Sequence, residues 1–331
     1  MRQAGESSPA SGHVLRIIWP FVPVVVALAL FSIASLDLLS AARAFVAGES
    51  QWSKGQKNAV LHLLRYGEDR NPADFTAYLA AAGRFCLYAQ EIVPAQPDAA
   101  ASPGGRHIEL LLRMLDERGR LVPPMAFVPA CERYNLMPMI DRWVVETAFR
   151  ALAGRQGEIA TCAINLSGSS LADIQFPEFV REQAQRAGIA LDGICFEITE
   201  TAAIANLAQA GSFIRQLQRL GCSFALDDFG AGMSSFAYLK HLPAAYLKID
   251  GSFVRDMLAD PVNLVMVEVI QRIGHAMAKK TIAEFVESEA MLERLRELCV
   301  DLVQGFHIGP PQPFAPCGLA AMVPSAAART G

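Results

Sequence analysis

The sequence predicts an α/β protein: a modified (β/α)8 TIM-type barrel with an antiparallel first strand, preceded by one N-terminal transmembrane helix. After residue 84, short runs typical of β-strands alternate with amphipathic helical stretches, as repeated βα units do. The first two strand-like runs have no helix between them, which favours an antiparallel start. Far upstream lies an uncharged apolar segment of about twenty residues, from Ile17 to Leu36.

The predicted strands and helices follow one another in a regular order. The first two strands are FCLYAQEIV and HIELLLRML, joined by the turn-rich PAQPDAAASPGG. A helical stretch follows, MIDRWVVETAFRAL. The later strands are TCAINLS, GICFEITE, SFALDDF, YLKID, TIAEFVE and DLVQGF. The helices between them are FPEFVREQAQRAG, LAQAGSFIRQLQRLG, SSFAYLKHL, VNLVMVEVIQRIGHAMAKK and SEAMLERLRELC. This many consecutive βα units predicts a parallel sheet that closes into a barrel.

The apolar segment near the N-terminus predicts a transmembrane helix over residues 17–39, after a tail of residues 1–16. Pro20 and Pro23 fall in its first turns, where proline is best tolerated. A cleaved signal peptide is the alternative. The apolar run exceeds a usual signal core, however, and lacks a clear A-x-A cleavage site before Arg43.

The composition excludes one class of partner and indicates a compartment. The net charge of −4 and the pI near 5.9 argue against a nucleic-acid polymer as partner, because tracking phosphates needs clustered Lys and Arg. The seven cysteines are scattered and form no CxxC pair. This pattern suits a reducing compartment better than a disulfide framework.

Two adjacent aspartates, Asp227 and Asp228, end an apolar strand and meet a glycine-rich turn in FALDDFGAGMSSFAYLK. Like charges side by side repel, so something must compensate them. One interpretation is a solvated turn in which an aspartate caps the next helix. The other is a cation site, since hard divalent metals bind several oxygen ligands. The pair by itself leaves both interpretations open.

Polar side chains stand near the ends of successive predicted strands, where barrels of this class carry their chemistry. These residues are Glu109, Asn165, Glu197, Asp227, Asp228, Lys248, Glu284 and Gln304. Each alone has a structural explanation, such as a turn-forming asparagine or a surface lysine. Together they would place several negative charges in one cavity, which only cations make tolerable. The joint pattern therefore favours a metal site.

The ordered motifs ELLLR, NLS, FEITE, DDFGAGMSS, LKID, AEFVE and QGF resemble the EAL-domain family of cyclic di-GMP phosphodiesterases. They run in family order from about Phe85 to Pro313, and we assign the domain to residues 83–325. The resemblance implies hydrolysis of cyclic di-GMP to linear pGpG, with Mg²⁺ or Mn²⁺ as cofactor. A catalytically silent, membrane-anchored cyclic di-GMP receptor is the alternative, although such a receptor typically lacks a metal ligand.

The resemblance also implies how two metal ions are held. The first ion is assigned to Glu109, Asn165, Glu197 and Asp227. The second is assigned to Asp227, Asp228 and Glu284, so that Asp227 bridges the pair. Such a pair can activate a water and clamp both oxygens of an in-line displacement.

Further residues receive catalytic or binding roles from the same resemblance. Glu284 would also act as general base, and Lys248 would orient the water or steady the charge of the transition state. Two residues would complete the shell, Gln304 and Glu287. Glu200 would anchor the DDFGAGMSS loop. The residues at substrate-contacting positions are Arg113 and Gln90.

Four positions depart from the family pattern without removing a ligand. Leu110 stands in place of the signature alanine, Glu91 in place of a proline, and Met233 in place of a loop tyrosine. Phe285 replaces the glycine that follows the catalytic glutamate. We expect Leu110 to point away from Glu109 and to have a modest steric effect.

The resemblance bears on assembly and location as well. Residues 40–82 look like a helical remnant of the sensor region of larger relatives. Because cyclic di-GMP is a cytoplasmic messenger, we expect an inner-membrane anchor at residues 17–39 with the barrel in the cytoplasm. Arg2 and Arg16 precede that helix, whereas Arg43, Lys54 and Lys57 follow it closely. We also expect a homodimer formed through the barrel.

Overall fold

The computed structural model describes residues 83–96, 105–116, 119–133, 135–155, 157–232 and 236–315. The predicted tail, the transmembrane helix over 17–39 and the remnant over 40–82 lie outside the described residues. Within the part of the chain that is described, no helix is both long enough and apolar enough to cross a bilayer.

Eight strands close into a barrel, and two short strands extend the sheet. The strands are β1 Phe85–Pro94, β2 Arg106–Leu115, β3 Leu121–Val122, β4 Ile159–Asn165, β5 Ile194–Thr199, β6 Ser223–Phe229, β7 Tyr246–Ile249, β8 Lys280–Ala283, β9 Leu302–Val303 and β10 Gln312–Pro313. The ring runs β1-β2-β4-β5-β6-β7-β8-β9 and returns to β1. β1 is antiparallel to both of its ring neighbours, and the other ring pairs are parallel. The predicted modified barrel with an antiparallel first strand is confirmed.

Helices follow most of the parallel strands and cover the outside of the barrel. They are α1 Pro124–Arg133, α2 Met137–Leu152, α3 Phe176–Ala187, α4 Glu200–Ala205, α5 Leu207–Arg219, α6 Gly251–Asp256, α7 Pro261–Ala276 and α8 Glu289–Glu297. Several start at side-chain caps: Asp260 accepts from Val262 N, and Ser288 accepts from Met291 N.

The structure differs from the predicted elements in several places. The stretch predicted as a helix after β6 is a 3₁₀ turn, Phe236–His241. The long helix predicted to reach residue 280 ends at Ala276, because the chain turns at Ala278 with a φ of 53° before β8. The short strands β3 and β10 were not predicted, since two-residue strands carry no alternation to read. Helices α1, α4 and α6 were not predicted either, because α4 and α6 have only six residues each and α1 contains Pro129.

The core between barrel and helices is aromatic on one side of the molecule. Phe176 of α3 and Phe213 of α5 lie over Phe196 and Phe224 of neighbouring strands, with ring centroids 5.8–6.3 Å apart. Strand β5 is buried at five of its six positions, as expected for a strand covered on both faces.

Candidate active site

The C-terminal ends of the parallel strands bring the predicted polar residues together at one mouth of the barrel. β2, β4 and β5 supply Glu109, Asn165 and Glu197, the last two of which are register partners. The remaining strands supply Asp227, Asp228, Lys248, Glu284 and Gln304, the last two just after β8 and β9 end. Gln90 enters from the antiparallel β1, where it is paired with Glu109.

Lys248 lies at the centre of this group and is fully buried. Its Nζ is 2.6 Å from Glu197 Oε2, 2.7 Å from Glu284 Oε1, 3.1 Å from Asp227 Oδ1 and 3.6 Å from Glu109 Oε2. Burial opposes the charge, but the four carboxylates outweigh it and hold the pKa of Lys248 well above its usual value. One ammonium thus faces four carboxylates.

Glu109 is held in place by amide donors as well as by the lysine. Asn165 Nδ2 donates to Glu109 Oε1 at 2.7 Å, and Gln304 Nε2 donates to Glu109 Oε2 at 2.6 Å. Gln304 also donates to Gln90 Oε1 at 3.2 Å. Burial would raise the pKa of Glu109, but Lys248 and the two amides overcome it and lower the pKa. Glu109 is therefore a fixed, ionised carboxylate.

Asp227 and Asp228 both reach the cluster although they are adjacent on a strand, where side chains normally alternate between faces. Asp228 has a φ of 52°, in the left-handed region that aspartate tolerates, and the strand register slips between Leu226 and Phe229. As a result, Asp227, Asp228 and Glu284 each offer a carboxylate oxygen within 4.8 Å of the others. The local backbone brings these three carboxylates together.

Burial and the closeness of the carboxylates raise the pKa of three of them. Burial, reinforced by Glu109 and Asp227 against the pull of Lys248, raises the pKa of Glu197 well above its usual value. Burial and Asp227 likewise raise the pKa of Glu284 to about 8. At the rim, partial burial and the charges of Asp227 and Asp250 raise the pKa of Asp228 to about 6. Divalent cations would relieve this repulsion.

The donor set fits Mg²⁺ or Mn²⁺. Carboxylate and amide oxygens are the ligands these ions prefer, and no His or Cys belongs to the predicted set. Two acceptor atoms at the site are buried without a hydrogen-bond partner among the described residues, Glu197 Oε1 and Gln304 Oε1. Asp227 Oδ1 has only the ammonium of Lys248, 3.1 Å away. Buried acceptors of this kind are normally satisfied by a donor, a water or an ion.

Glu200 lies beside the cluster and holds the loop after β6 from both sides. Its Oε2 accepts from Gly230 N at 2.9 Å, and its Oε1 accepts from Tyr238 Oη at 2.5 Å. Gly232 also lies against this carboxylate. Residues 233–235, between these anchors, lie outside the described residues. Tyr238 was missed by the sequence reasoning, because nothing local predicts a bond to a residue 38 positions away.

Arg113 and Glu287 line a cavity next to the cluster and do not join the lysine-centred group. The cavity has a volume of about 340 Å³ and is also lined by Glu109, Glu284 and Gln304. Gln90, another wall residue, donates from Nε2 to Gly309 O at 2.9 Å. A cavity of this size beside the carboxylates is large enough to hold part of a nucleotide ligand.

Comparison with known proteins accounts for this constellation. A family model described as EAL domain matches residues 76–311. The chain belongs to the EAL-domain family. It is 41% identical over 217 residues to the cyclic di-GMP phosphodiesterase PdeB of Shewanella oneidensis, and 36% identical over 232 residues to the cyclic di-GMP phosphodiesterase PdeF of Escherichia coli. These matches cover 65% and 70% of this chain but only 25% and 30% of those relatives.

Solved structures of EAL domains are similar as well. The PaMucR phosphodiesterase in complex with c-di-GMP is 30% identical, with a TM-score of 0.65, over 73% of this chain and 97% of that one. The FimX EAL domain from Pseudomonas aeruginosa bound to c-di-GMP is 28% identical, with a TM-score of 0.66, over 73% of this chain and 96% of that one.

Proposed function

We propose that this EAL domain hydrolyses cyclic di-GMP to linear pGpG in a reaction that depends on Mg²⁺ or Mn²⁺. The observation that carries the proposal is the mouth of the barrel, where four carboxylates face the single ammonium of Lys248 and Asp228 lies beside two of them. Two buried acceptors there have no hydrogen-bond partner among the described residues. The names of the similar proteins supply the substrate. All predicted metal ligands are present, which favours an enzyme over a silent receptor.

The proposed metal ligands come from the family resemblance, and the closeness of Asp227, Asp228 and Glu284 supports the second set. Glu109, Asn165, Glu197 and Asp227 would hold one ion, and Asp227, Asp228 and Glu284 would hold the other. When bound, two such ions would supply positive charge to the phosphodiester and lower the pKa of a water.

The chain's own residues would carry the proton and the charge. Water forms a bond to phosphorus while the bond from phosphorus to the ribose O3′ breaks, and the leaving oxygen takes up a proton. Glu284 would receive the proton of the attacking water, since its carboxylate faces both the cavity and Lys248. Lys248 would donate to the charge that develops in the transition state, and Gln304 would keep Glu109 oriented. Arg113, Gln90 and Glu287 would line the substrate cavity.

The test is direct. The purified full-length chain is incubated with cyclic di-GMP and Mn²⁺, and products are separated by chromatography. We expect pGpG to appear. Binding of cyclic di-GMP without any pGpG would contradict the proposal and favour the receptor alternative.

Metal dependence gives a separate expectation. Because the ligands are oxygens, Mg²⁺ or Mn²⁺ should support turnover, and Zn²⁺ should not be required. Turnover is measured after exhaustive chelation and again after each ion is added back. Full activity in the chelated sample would contradict the two-metal proposal.

We further propose that the barrel forms a homodimer through the outer face of α7. Val262, Val265 and Val269 of α7 are 36–66% exposed at helical spacing, and the exposed Leu258 lies just before the helix. An antiparallel pair of these helices would bring Asp256 and Asp260 near one end of the first beside Arg272 at the far end of the second, so charge complements the apolar stripe. Val265→Glu should convert a dimer into a monomer in analytical ultracentrifugation. A monomeric parent protein would contradict the proposal.

Anchoring by residues 17–39 and a cytoplasmic barrel also remain proposals. They rest on the uncharged apolar run and the cytoplasmic messenger. A C-terminal fluorescent-protein fusion should be bright and an alkaline phosphatase fusion silent. The reverse result would place the barrel outside the cytoplasm.

A further inference from the structure

Phe285 directly follows Glu284 and has a backbone conformation that a phenylalanine rarely adopts. Its φ is 53°, in the left-handed region, which costs a non-glycine residue about 1–2 kcal/mol. The side chain is nevertheless 44% exposed at the mouth of the barrel, so burial of the ring does not explain the conformation. Specific contacts must therefore stabilise this backbone conformation.

Those contacts come from helix α6, which follows the strand that carries Lys248. The guanidinium carbon of Arg255 lies 3.9 Å from the centre of the Phe285 ring, a close cation–π contact. The other contact is with Gly251, where an added Cβ would fall 2.0 Å from Phe285 Cδ2. Any residue other than glycine at position 251 would therefore displace the ring.

The opposite side of this segment is held by the loop after β9. Val286 N donates to Gln304 O at 3.0 Å, and His307 N donates to Val286 O at 3.0 Å. Gly305 lies so close that an added Cβ would fall 2.2 Å from Val286 backbone atoms. Residues 284–286 are thus packed between this loop and the start of α6.

We propose that Phe285 is a positioning residue that fixes Glu284 against Lys248 and the paired aspartates. The ring follows β8 and packs on the helix that follows β7. These two strand ends carry Glu284 and Lys248, whose Oε1 and Nζ atoms lie 2.7 Å apart. This inference rests on the proposed function, but Mn²⁺ binding can be measured whether or not the chain turns over cyclic di-GMP. The proposal also accounts for a phenylalanine where the family pattern has glycine, because Gly251 provides the space that the ring needs.

The test uses the full-length chain and four variants. Phe285→Gly should raise the Mn²⁺ concentration for half-maximal turnover about tenfold, as expected when a group that orients a ligand is lost. Phe285→Tyr should keep the parent value, because it retains the ring. Gly251→Ala should be affected at least as strongly as Phe285→Gly, and adding Phe285→Gly to it should restore the value of the single Phe285→Gly variant.

Stability is measured alongside to separate positioning from general damage. Gly274→Ala is the matched control, since its Cβ would fall 2.8 Å from Thr281 Cγ2 at the other end of the barrel. It should lower the melting temperature and leave the Mn²⁺ dependence unchanged.

Two results would overturn the proposal: Phe285→Gly with unchanged or improved Mn²⁺ dependence, or a double variant clearly more impaired than Phe285→Gly alone. Calorimetric titration of Mn²⁺ into each variant repeats the comparison without turnover. If the parent binds Mn²⁺ but makes no pGpG, the proposed function fails, and the calorimetry still decides whether Phe285 positions Glu284.

Discussion

Charged side chains are paired differently at the two ends of the barrel. At the C-terminal mouth, Glu109, Glu197, Asp227 and Glu284 share the single ammonium of Lys248. At the N-terminal end, charged groups have partners of their own. Asp301 Oδ2 accepts from Thr281 N at 2.8 Å and from Thr281 Oγ1 at 3.0 Å, and His275 Nε2 lies 2.9 Å away.

The N-terminal end also has a cavity, of about 390 Å³, but its chemistry is different. Arg106 lies against Glu91 with 2.5 Å between Nε and Oε1, and both line the cavity with His107, Lys280 and Asp301. Basic and acidic side chains both line this cavity. The comparison shows that the size of a cavity does not mark the site in this barrel. What distinguishes the mouth is an excess of buried carboxylates over donors, which costs folding free energy and is consistent with the proposed cation site.

The strongest way to test this difference is to remove one carboxylate at each end. Asp227→Asn should lower turnover at least about a thousandfold, because it alters a group proposed to contact both ions. It should also weaken Mn²⁺ binding in calorimetry. Asp301→Asn, at the other end, should lower the melting temperature and leave turnover unchanged. Equal losses of turnover in both variants would erase the distinction.

Buried lysines offer a second comparison. Lys248→Ala should slow turnover about a hundredfold and leave cyclic di-GMP binding largely intact, as for a group that acts mainly in the transition state. Lys279 is the control, because it donates to Leu242 O at 3.1 Å and Ala244 O at 2.6 Å, away from the carboxylates. Lys279→Ala should affect stability alone. If Lys248→Ala abolished ligand binding as Asp227→Asn does, Lys248 would be structural.

A smaller effect on Mn²⁺ binding is expected at Glu200, a carboxylate that accepts hydrogen bonds from Gly230 N and Tyr238 Oη. Glu200→Gln should weaken Mn²⁺ binding about tenfold, because it loosens the loop that follows the two aspartates. Tyr238→Phe removes one of the two bonds to Glu200 and should have a smaller effect in the same direction. Calorimetric titration measures both. An unchanged affinity in Glu200→Gln would show that the loop is held without this carboxylate.

A separate expectation concerns stability and its pH dependence, with no change in turnover. Asp141 is buried behind the loop after Asn165, and burial raises its pKa from 3.8 to about 6 despite bonds from Ser167 and Ser170. The folded state therefore holds this proton more tightly than the unfolded state, and the associated stability is lost as pH rises from about 4 to 6. A shift of this size corresponds to at most about 3 kcal/mol.

Denaturant titrations at successive pH values can isolate this contribution. Asp141→Asn should flatten the pH dependence of the unfolding free energy over that window. Ser170→Ala removes a bond that favours the ionised carboxylate, so it should steepen the dependence. An unchanged slope in both variants would contradict the raised pKa.

The sequence by itself determined the order of the strands and the identity of the residues at the mouth. The βα rhythm predicts parallel strands, whose C-terminal ends all meet at one end of the barrel, and the motif residues lie at those ends. The sequence alone did not predict that Lys248 lies among four carboxylates or that Tyr238 donates a hydrogen bond to Glu200. Nor did it predict that the ring of Phe285 packs on Gly251. Those contacts join residues that lie 21 to 139 positions apart in the chain, and they depend on side-chain directions that no local pattern encodes. Tertiary packing alone also decided that Asp228 and Phe285 adopt positive φ, because only the neighbouring strand ends and loops offset that cost.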